Sequence, residues 1–454
     1  MKKAFLLISA LILLLTGCSK DERSQILATI PAESSYVVLI DLKKINDDLG
    51  NKVDSEGKIE PGKAFSQFLN SESRGRDAFL KQAIEGNDFA IDFSFAALFE
   101  NAGKTMLTFY VTDPEKFTDA VSKADKDVSF SKEGGVLIDN FKNTAIVDNQ
   151  VWILMSYGEP LTAGEVLKLS KLDDKKSFNS AEYSKKLLEC DSEISLYADI
   201  IACCDLQGFN GMATKMSVAT VFEDPKYLIG TTDFSNGEAK ANVKILNEKL
   251  KPCKLAVKLD EINVGKLNAF SGKGNSFFAL NLNPSSVSKI LSQYEPMLKQ
   301  SMMLDSSVID ALKNLDGTIA ASIDNASAGE PSFSAIISFT SPAYAESASQ
   351  FFRLFGGSFG VASDNNVLHI SRGQSEGLPI SSVADRFKGT YGGFIMLFQE
   401  GQGPDAKLIE QYFKESSLLI RKDGSGIQLD FTMKSKPDQN FLVSLLEYYN
   451  SVKR

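Results

Sequence analysis

The chain has 454 residues, of which 43% are hydrophobic and 24% are charged. This composition is typical of a folded protein of two or three domains, and it excludes a disordered or fibrous chain. The formal net charge of −9 argues against nucleic acid as a partner, because phosphates attract basic surfaces. His369 is the single histidine, which excludes metal sites built from several histidines. We expect neither a metal nor another cofactor.

The first seventeen residues have the features of a signal peptide. Lys2 and Lys3 precede an apolar run from Ala4 to Leu15. As a helix, this run would reach about 18 Å, which is well short of the roughly 30 Å hydrocarbon core of a bilayer. We therefore predict that residues 1–17 are a cleaved signal peptide rather than a membrane-spanning helix.

The apolar run closes with Leu15-Thr16-Gly17-Cys18, which resembles the lipobox of bacterial lipoproteins. The resemblance implies cleavage before Cys18 and attachment of diacylglycerol and a further acyl chain such as palmitate to that cysteine. The protein would then contact the membrane through the lipid anchor on Cys18. An ordinary signal peptide with a chance cysteine is the alternative.

Residues 18–27 are predicted to be a tether. Lys20-Asp21-Glu22 within it is similar to the export signal of Bacteroides-type surface lipoproteins, and a plain solvated tether explains the same residues. Cleavage after residue 17 would remove two lysines and leave 47 basic and 58 acidic side chains, a net charge of −11. We expect an anionic membrane surface to repel this body, so that the acyl chains hold it out from the bilayer.

The remaining cysteines are Cys190, Cys203, Cys204 and Cys253. Four cysteines in a body of this length do not make a disulfide framework, and their spacing does not fit a zinc site. We expect buried free thiols. A single long-range disulfide is the alternative in an oxidising compartment.

Two segments with period-two hydrophobicity, 89–95 and 333–339, predict half-buried strands of antiparallel sheets. Further along the chain, each segment is followed by the end of a strand and then by a helical pattern. The helical pattern begins at Asp113-Pro114 after the first segment and at Ser341-Pro342 after the second. Asp or Ser can cap the first helical N–H groups, and proline suits the first helical position. The two segments thus have the same layout.

Two hairpins and four strand–helix units extend this repetition. The turns Asn236-Gly237 and Asp423-Gly424 each precede an alternating strand, 239–245 and 427–433. The strand–helix units begin near Tyr36, Ser195, Phe277 and Phe394.

We predict an α+β fold of two similar tandem units, 28–262 and 270–454, with a junction near 271–275. Each unit is expected to be a largely antiparallel sheet with helices packed on one face. Chance similarity between two α+β units is the alternative.

The segment from Ile30 to Lys44 resembles the start of a family of Bacteroides-type lipoproteins that is known only as a domain of unknown function. Its most specific part runs from Ile30-Pro31 to Asp41. The resemblance implies an envelope location and an α+β layout. It implies no activity and no site residues.

Three features of the sequence resemble functional sites but lack the context that each kind of site needs. Gly356 to Gly360 satisfies G-x-S-x-G, but a helix precedes it where a nucleophile elbow needs a strand. His369 follows Ser358 by eleven residues in a predicted strand and is expected to be structural. The segment 54–57 combines acids with a glycine but lacks the spacing of a calcium loop. We predict no catalytic residue.

Carbohydrate binding usually needs exposed aromatic rings. Trp152, the one tryptophan, lies in an apolar run at 151–155 that predicts a buried strand. Tyr448 and Tyr449 near the C-terminus are the alternative platform.

The sequence therefore predicts an outer-membrane lipoprotein, periplasmic or surface-exposed, that acts as a non-catalytic binding or interaction module. Its partner would be an envelope protein or a glycan. A carboxylate-dependent hydrolase acting on glycans and a structural subunit of an envelope assembly are the alternatives.

Overall fold

A computed structural model describes the chain over residues 20–54, 58–72, 84–156, 158–301, 305–324, 331–355, 359–375, 377–398, 404–435 and 438–452. Cys18 and the predicted signal peptide lie outside these ranges. The chain divides into two units by its internal contacts: residues 1–216, 226–250 and 437–454 make the first, and residues 217–225 and 251–436 make the second.

The described chain contains both helices and antiparallel strands. The strands are β1 (Tyr36–Asp41), β2 (Lys52–Val53), β3 (Ile59–Glu60), β4 (Ile91–Asn101), β5 (Lys104–Val111), β6 (Phe130–Glu133), β7 (Val136–Asp139), β8 (Thr144–Val147), β9 (Gln150–Leu154), β10 (Ile194–Asp199), β11 (Tyr227–Ser235), β12 (Glu238–Leu246), β13 (Lys273–Gly274), β14 (Ser276–Asn281), β15 (Leu315–Asp324), β16 (Ser332–Phe339), β17 (Gly360–Asp364), β18 (Val367–Arg372), β19 (Leu378–Pro379), β20 (Thr390–Leu397), β21 (Phe413–Asp423) and β22 (Gly426–Ser435). The helices are α1 (Lys20–Ala28), α2 (Leu42–Asp48), α3 (Lys63–Glu72), α4 (Pro114–Ala124), α5 (Ala163–Ser170), α6 (Glu182–Leu188), α7 (Ile200–Leu206), α8 (Phe209–Val221), α9 (Val264–Ala269), α10 (Pro284–Ser301), α11 (Ser306–Lys313), α12 (Pro342–Phe355), α13 (Pro404–Tyr412) and α14 (Phe441–Val452). Four short 3-10 turns complete the set: Asp174–Lys176, Phe178–Ser180, Ile380–Ser382 and Ala384–Phe387. The predicted α+β class with a large antiparallel sheet is confirmed.

The sheet of the first unit has the strand order β6, β7, β8, β9, β5, β4, β1, β10, β11, β12, with antiparallel neighbours. Leu39 and Phe99 point into one core, and Ile40 and Leu107 point into the other. Helices α1, α5 and α6 cover the first face, while α2, α3, α4 and α14 cover the second. The prediction of helices on one face only was wrong here, because both faces of this sheet are apolar and both need cover.

The sheet of the second unit has the strand order β17, β18, β16, β15, β14, β20, β21, β22, again with antiparallel neighbours. Phe277 and Ile395 pack with α9 and two 3-10 turns on one face. Phe339 and Leu368 pack with α10, α11 and α12 on the other. Helical segments cover both faces of this sheet as well.

A change of register in β4 corrects the predicted strand at 89–95. Its alternation was expected to place the apolar residues on one face. The pairing of β4 with β5 shifts between Ile91 and Ala96, and Ile91 therefore packs with Phe89 in one core while Phe95 packs in the other. Such an irregularity moves the later residues to the opposite face, which a period-two pattern cannot reveal.

The turn signals at Asn236-Gly237 and Asp423-Gly424 and the helix cap at Asp113 are confirmed. The Asp113 side chain accepts hydrogen bonds from the backbone N–H groups of Glu115 and Lys116, both at 3.0 Å, at the start of α4. Gly237 and Gly424 adopt φ values of +78° and +56° in the β11–β12 and β21–β22 hairpins. Glycine is favoured there because it enters the left-handed region without a steric cost.

Residues 20–27 of the predicted tether belong to the helix α1, so the prediction of a tether is wrong over these residues. Ile26 and Leu27 of this helix are fully buried in the core of the first unit. Arg23 is also buried, and it donates a hydrogen bond to the Cys190 carbonyl at 2.7 Å. The sequence did not predict this helix, because the charged run at 20–23 is typical of solvated chain. The apolar face of the helix begins only at Ile26.

The C-terminal helix α14 packs in the first unit. Leu442 and Leu446 join the core beneath α2, α3 and α4. The sequence placed this helix in a second unit ending at residue 454, whereas residues 437–454 make their contacts with the first unit. Apolar periodicity predicts that a helix has a buried face but does not identify the surface that buries it.

We expect Leu446→Ala to lower the free energy of unfolding of the first unit by about 2–4 kcal/mol, because the side chain leaves a cavity. Leu446 is 7% exposed and its neighbour Leu445 is 41% exposed. The matched variant Leu445→Ala should therefore change that free energy by less than about 0.5 kcal/mol. Fluorescence of the buried Trp152 during urea unfolding reports this unit. Equal effects of the two variants would contradict the packing of α14.

Candidate interaction surface

Four apolar side chains lie side by side across four neighbouring strands of the second unit. Phe278 of β14 is paired with Phe394 of β20, Phe394 with Leu418 of β21, and Leu418 with Phe431 of β22. Directly opposite residues of antiparallel strands share one face of the sheet. At about 4.8 Å between strands, these four residues form a row about 14 Å long, which we call the apolar row.

The apolar row is open to solvent. Phe278 is 37% exposed, Leu418 is 40% exposed and Phe431 is 43% exposed, while Phe394 is half-buried. Single exposed hydrophobic residues are common on soluble proteins, but contiguous apolar patches mark interaction sites. Their contiguity in the sheet is what makes these residues a candidate site.

The apolar character continues along the β21–β22 hairpin on the same face. Ile420 opposite Leu429 lies on one side of the row, and Met433 opposite Ser416 lies on the other. All four are partly exposed. The alternation over 427–433 predicted a strand with one apolar face, and that strand is confirmed. Its apolar face was expected to be buried, but the structure leaves much of this face open.

The opposite face of this hairpin carries charged groups. Arg421 Nε lies 2.8 Å from Asp430 Oδ2. Glu415 is buried and pairs with Lys434 at 2.9 Å and with Arg386 at 2.7 Å. Burial raises the pKa of Glu415, but the hydrogen bonds from Lys434 and Arg386 outweigh it and hold the pKa below its usual value. These ion pairs therefore lie on the face of the hairpin opposite the apolar row.

A second cluster, in the first unit, brings together two acids that the sequence could not select. The pKa of Asp48 is raised to about 7, mainly by burial and secondly by the negative charge of the nearby Glu193. Asn440 donates a hydrogen bond to Asp48 Oδ1 at 2.8 Å, and Oδ2 is buried without a hydrogen-bond partner in the described part of the chain. Glu193 accepts a hydrogen bond from the Phe234 N–H at 3.0 Å, and burial raises its pKa as well.

A shallow depression in the first unit contains neither of these acids. Glu33, Thr162, Glu165 and Lys168 contribute to its lining. The Glu165 carboxylate lies 2.7 Å from Lys104 Nζ, which neutralises it. This depression therefore lacks a free acid pair.

The structure also locates several residues considered in the sequence. Trp152 is fully buried in β9, as predicted, and cannot serve as a sugar platform. His369 is half-buried in the middle of β18, opposite Ile336. Ser358 lies outside the described residues, so the structure does not place it relative to His369.

Asp54 accepts a hydrogen bond from the Lys58 N–H at 2.9 Å, while residues 55–57 of that motif lie outside the described ranges. Tyr449 is partly exposed, with its ring 5.6 Å from that of Phe68, and Tyr448 precedes it on α14. Packing against Phe68 accounts for the position of the Tyr449 ring.

Cys190, Cys203, Cys204 and Cys253 are free thiols. Within the described ranges, no three His, Cys, Asp or Glu side chains are grouped closely enough to hold a metal ion. No helix in those ranges is both long and apolar enough to cross a membrane.

Comparisons with known proteins add little. No family model matches the chain, and no curated protein matches it. Among solved structures, crystal form I of TP0453 is similar with a TM-score of 0.31 and 10% identity, covering 50% of this chain and 80% of that one. Crystal form III of TP0453 gives 0.32 and 11%, covering 54% and 84%, and form IV gives 0.31 and 10%, covering 48% and 79%. Similarity at this level supports no inference about the present chain.

The fold and the apolar row together define an α+β protein whose second unit has a partly exposed apolar sheet face.

We expect the stability of the first unit to fall as pH rises from about 4 towards 7. The folded protein keeps a proton on Asp48 up to about pH 7, whereas the unfolded chain loses it near the usual value of 3.8. The folded state therefore holds more protons in this range, and deprotonation on raising the pH favours unfolding. Asp48→Asn should flatten the dependence, and Asp119→Asn, at an exposed acid of α4 that is not among the charges acting on Asp48, should leave it unchanged. Urea unfolding at pH 5 and pH 8 measures this; the same slope in Asp48→Asn and the parent would contradict it.

Proposed function

We propose that this protein is a lipid-anchored component of the bacterial outer membrane that acts as a non-catalytic binding module. The apolar row Phe278, Phe394, Leu418 and Phe431 is the observation that supports the binding role. The signal-peptide pattern ending in Cys18 supports the anchor and the envelope location. The body would face the periplasm or the cell exterior.

The partner that best fits the apolar row is a protein that covers it with aliphatic or aromatic side chains. Burying one Leu or Phe side chain contributes about 1.5–3 kcal/mol. Three partly exposed large side chains in one row would supply a compact centre for such an interface. The row lies along the face of a sheet, which suits a protein surface better than a small molecule that needs a concave site.

We infer that the chain is a tandem duplication, and the strand orders of the two units support this. In the first unit, β1 leads into α2 and lies between β4 and β10. In the second, β14 leads into α10 and lies between β15 and β20. In each unit this central strand therefore has two corresponding neighbours. One is the first strand of a hairpin, β4–β5 or β15–β16. The other pairs with the first strand of a second hairpin, β11–β12 or β21–β22.

A carboxylate-dependent hydrolase is the second candidate, and Asp48 with Glu193 is the observation that favours it. Neighbouring acids with raised pKa values are typical of acid–base catalysis. Against this role, Asp48 is hydrogen-bonded to Asn440 of the segment that begins α14. An Asp48→Asn variant that loses a measured glycan-hydrolysing activity would favour the hydrolase.

We expect the mature protein to begin at Cys18 and to carry diacylglycerol on the sulfur of that residue. Mass spectrometry of the N-terminal peptide from native membranes measures the modification. Cys18→Ala should abolish it and leave the signal peptide attached, while Cys190→Ala should not affect it. A mature protein that starts elsewhere with a free amino group would contradict the proposed anchor.

We expect Leu418→Ser combined with Phe431→Ser to abolish retention of a protein partner captured with the intact lipoprotein from native membranes. Loss of two apolar contacts at the centre of an interface should weaken binding by at least about tenfold. Phe141→Ser is the matched control, because Phe141 is 54% exposed and belongs to the first unit. Retention of the same partner by the double variant would contradict the assignment of the row.

A partner present in fixed stoichiometry would favour the structural-subunit alternative.

A further inference from the structure

The distance between the proposed anchor and the folded body is very short. Helix α1 begins at Lys20, and only Ser19 separates it from Cys18. Two residues of fully extended chain span at most about 7 Å. A lipid-bearing sulfur at Cys18 would therefore lie close to the first turn of α1.

The first turn of α1 is fixed to the first unit by Arg23. Its guanidinium lies 3.2 Å from Asp41 Oδ2 and 2.7 Å from the Cys190 carbonyl. It also lies over the ring of Phe95, 4.9 Å from the ring centroid. Because breaking a buried ion pair costs several kcal/mol, this turn does not swing away from the sheet as a flexible tether would.

We propose that the edge of the first unit formed by Lys44 and Asp191, with Asp41 buried behind it, rests against the headgroups of a zwitterionic phospholipid bilayer. This inference rests on the lipidation of Cys18 proposed above, and it goes further by stating which surface faces the membrane. It also replaces the expectation that the acyl chains hold the body away from the bilayer.

The charges at this edge suit zwitterionic headgroups. Lys44 Nζ lies 2.7 Å from Asp191 Oδ1, and Arg23 contacts both Asp41 and Asp191. These four groups carry two positive and two negative charges, so they give the edge no excess of basic groups to attract anionic lipids. An edge with paired charges of both signs matches headgroups that carry both signs.

The opposite end of the same sheet should stay away from the bilayer. Asp41 is paired with Phe95 on β4, and that strand continues to a turn at Ala102. Seven residues of strand place this turn about 20 Å from the proposed edge. The two ends of the sheet therefore provide one position near the bilayer and one position far from it in the same protein.

The test uses the full lipoprotein in vesicles of phosphatidylethanolamine and phosphatidylcholine that contain a lipid with a nitroxide on its headgroup. A coumarin-bearing amino acid replaces Glu189 in one variant and Ala102 in a matched variant. Glu189 is exposed and directly precedes Cys190, whose carbonyl Arg23 contacts. We expect quenching several-fold stronger at position 189 than at position 102.

A flexible Gly/Ser insertion of about twenty residues after Ser19 adds roughly 25 Å of reach and should remove the difference. Equal quenching at the two positions in a protein shown by mass spectrometry to be acylated would overturn this inference alone. A protein without the acyl group would overturn the proposed anchor together with the inference.

Discussion

Everything in the first unit depends on covering an antiparallel sheet whose two faces are both apolar. Leu39 and Phe99 need cover on one side, and Ile40 and Leu107 need it on the other. The cover comes partly from opposite ends of the chain, α1 on one face and α14 on the other. Because a sheet cannot leave two apolar faces in water, the first and last of the described helices pack in the same unit, one on each face of its sheet.

The second unit obeys the same constraint only in part. Its helices and 3-10 turns cover the cores around Phe277 and Phe339, but the row from Phe278 to Phe431 stays partly exposed. Successive residues of a strand point to opposite faces, and the Arg421–Asp430 pair lies on the face of the β21–β22 hairpin opposite the row. The same alternation that forms the strand thus produces the proposed binding surface.

Local structure could be predicted from the sequence, because its causes are local. Asp113 and Pro114 predict a helix start, and Gly237 and Gly424 predict hairpin turns, through backbone geometry within a few residues. The layers could not be predicted in the same way. Period-two alternation shows that two faces of a strand differ, but the buried face depends on elements far along the chain.

The candidate sites also differ in whether they depend on local sequence or on residues far apart in the chain. Cys18 was found from a contiguous motif, whereas the apolar row exists only in the registers that join Phe278, Phe394, Leu418 and Phe431. Asp48 and Glu193 are separated by more than a hundred residues, and they could not be singled out among 58 acids. Their raised pKa values arise from burial in the folded protein.

Hydroxyl-radical footprinting is the most direct measurement of the central claim, that the open sheet face of the second unit is covered by a partner in the cell envelope. The oxidation rates of Phe278, Leu418 and Phe431 would be compared between native membranes and the purified protein, with Phe141 as internal reference. The account predicts that the three rates fall in native membranes relative to Phe141. Unchanged rates for all three would contradict it.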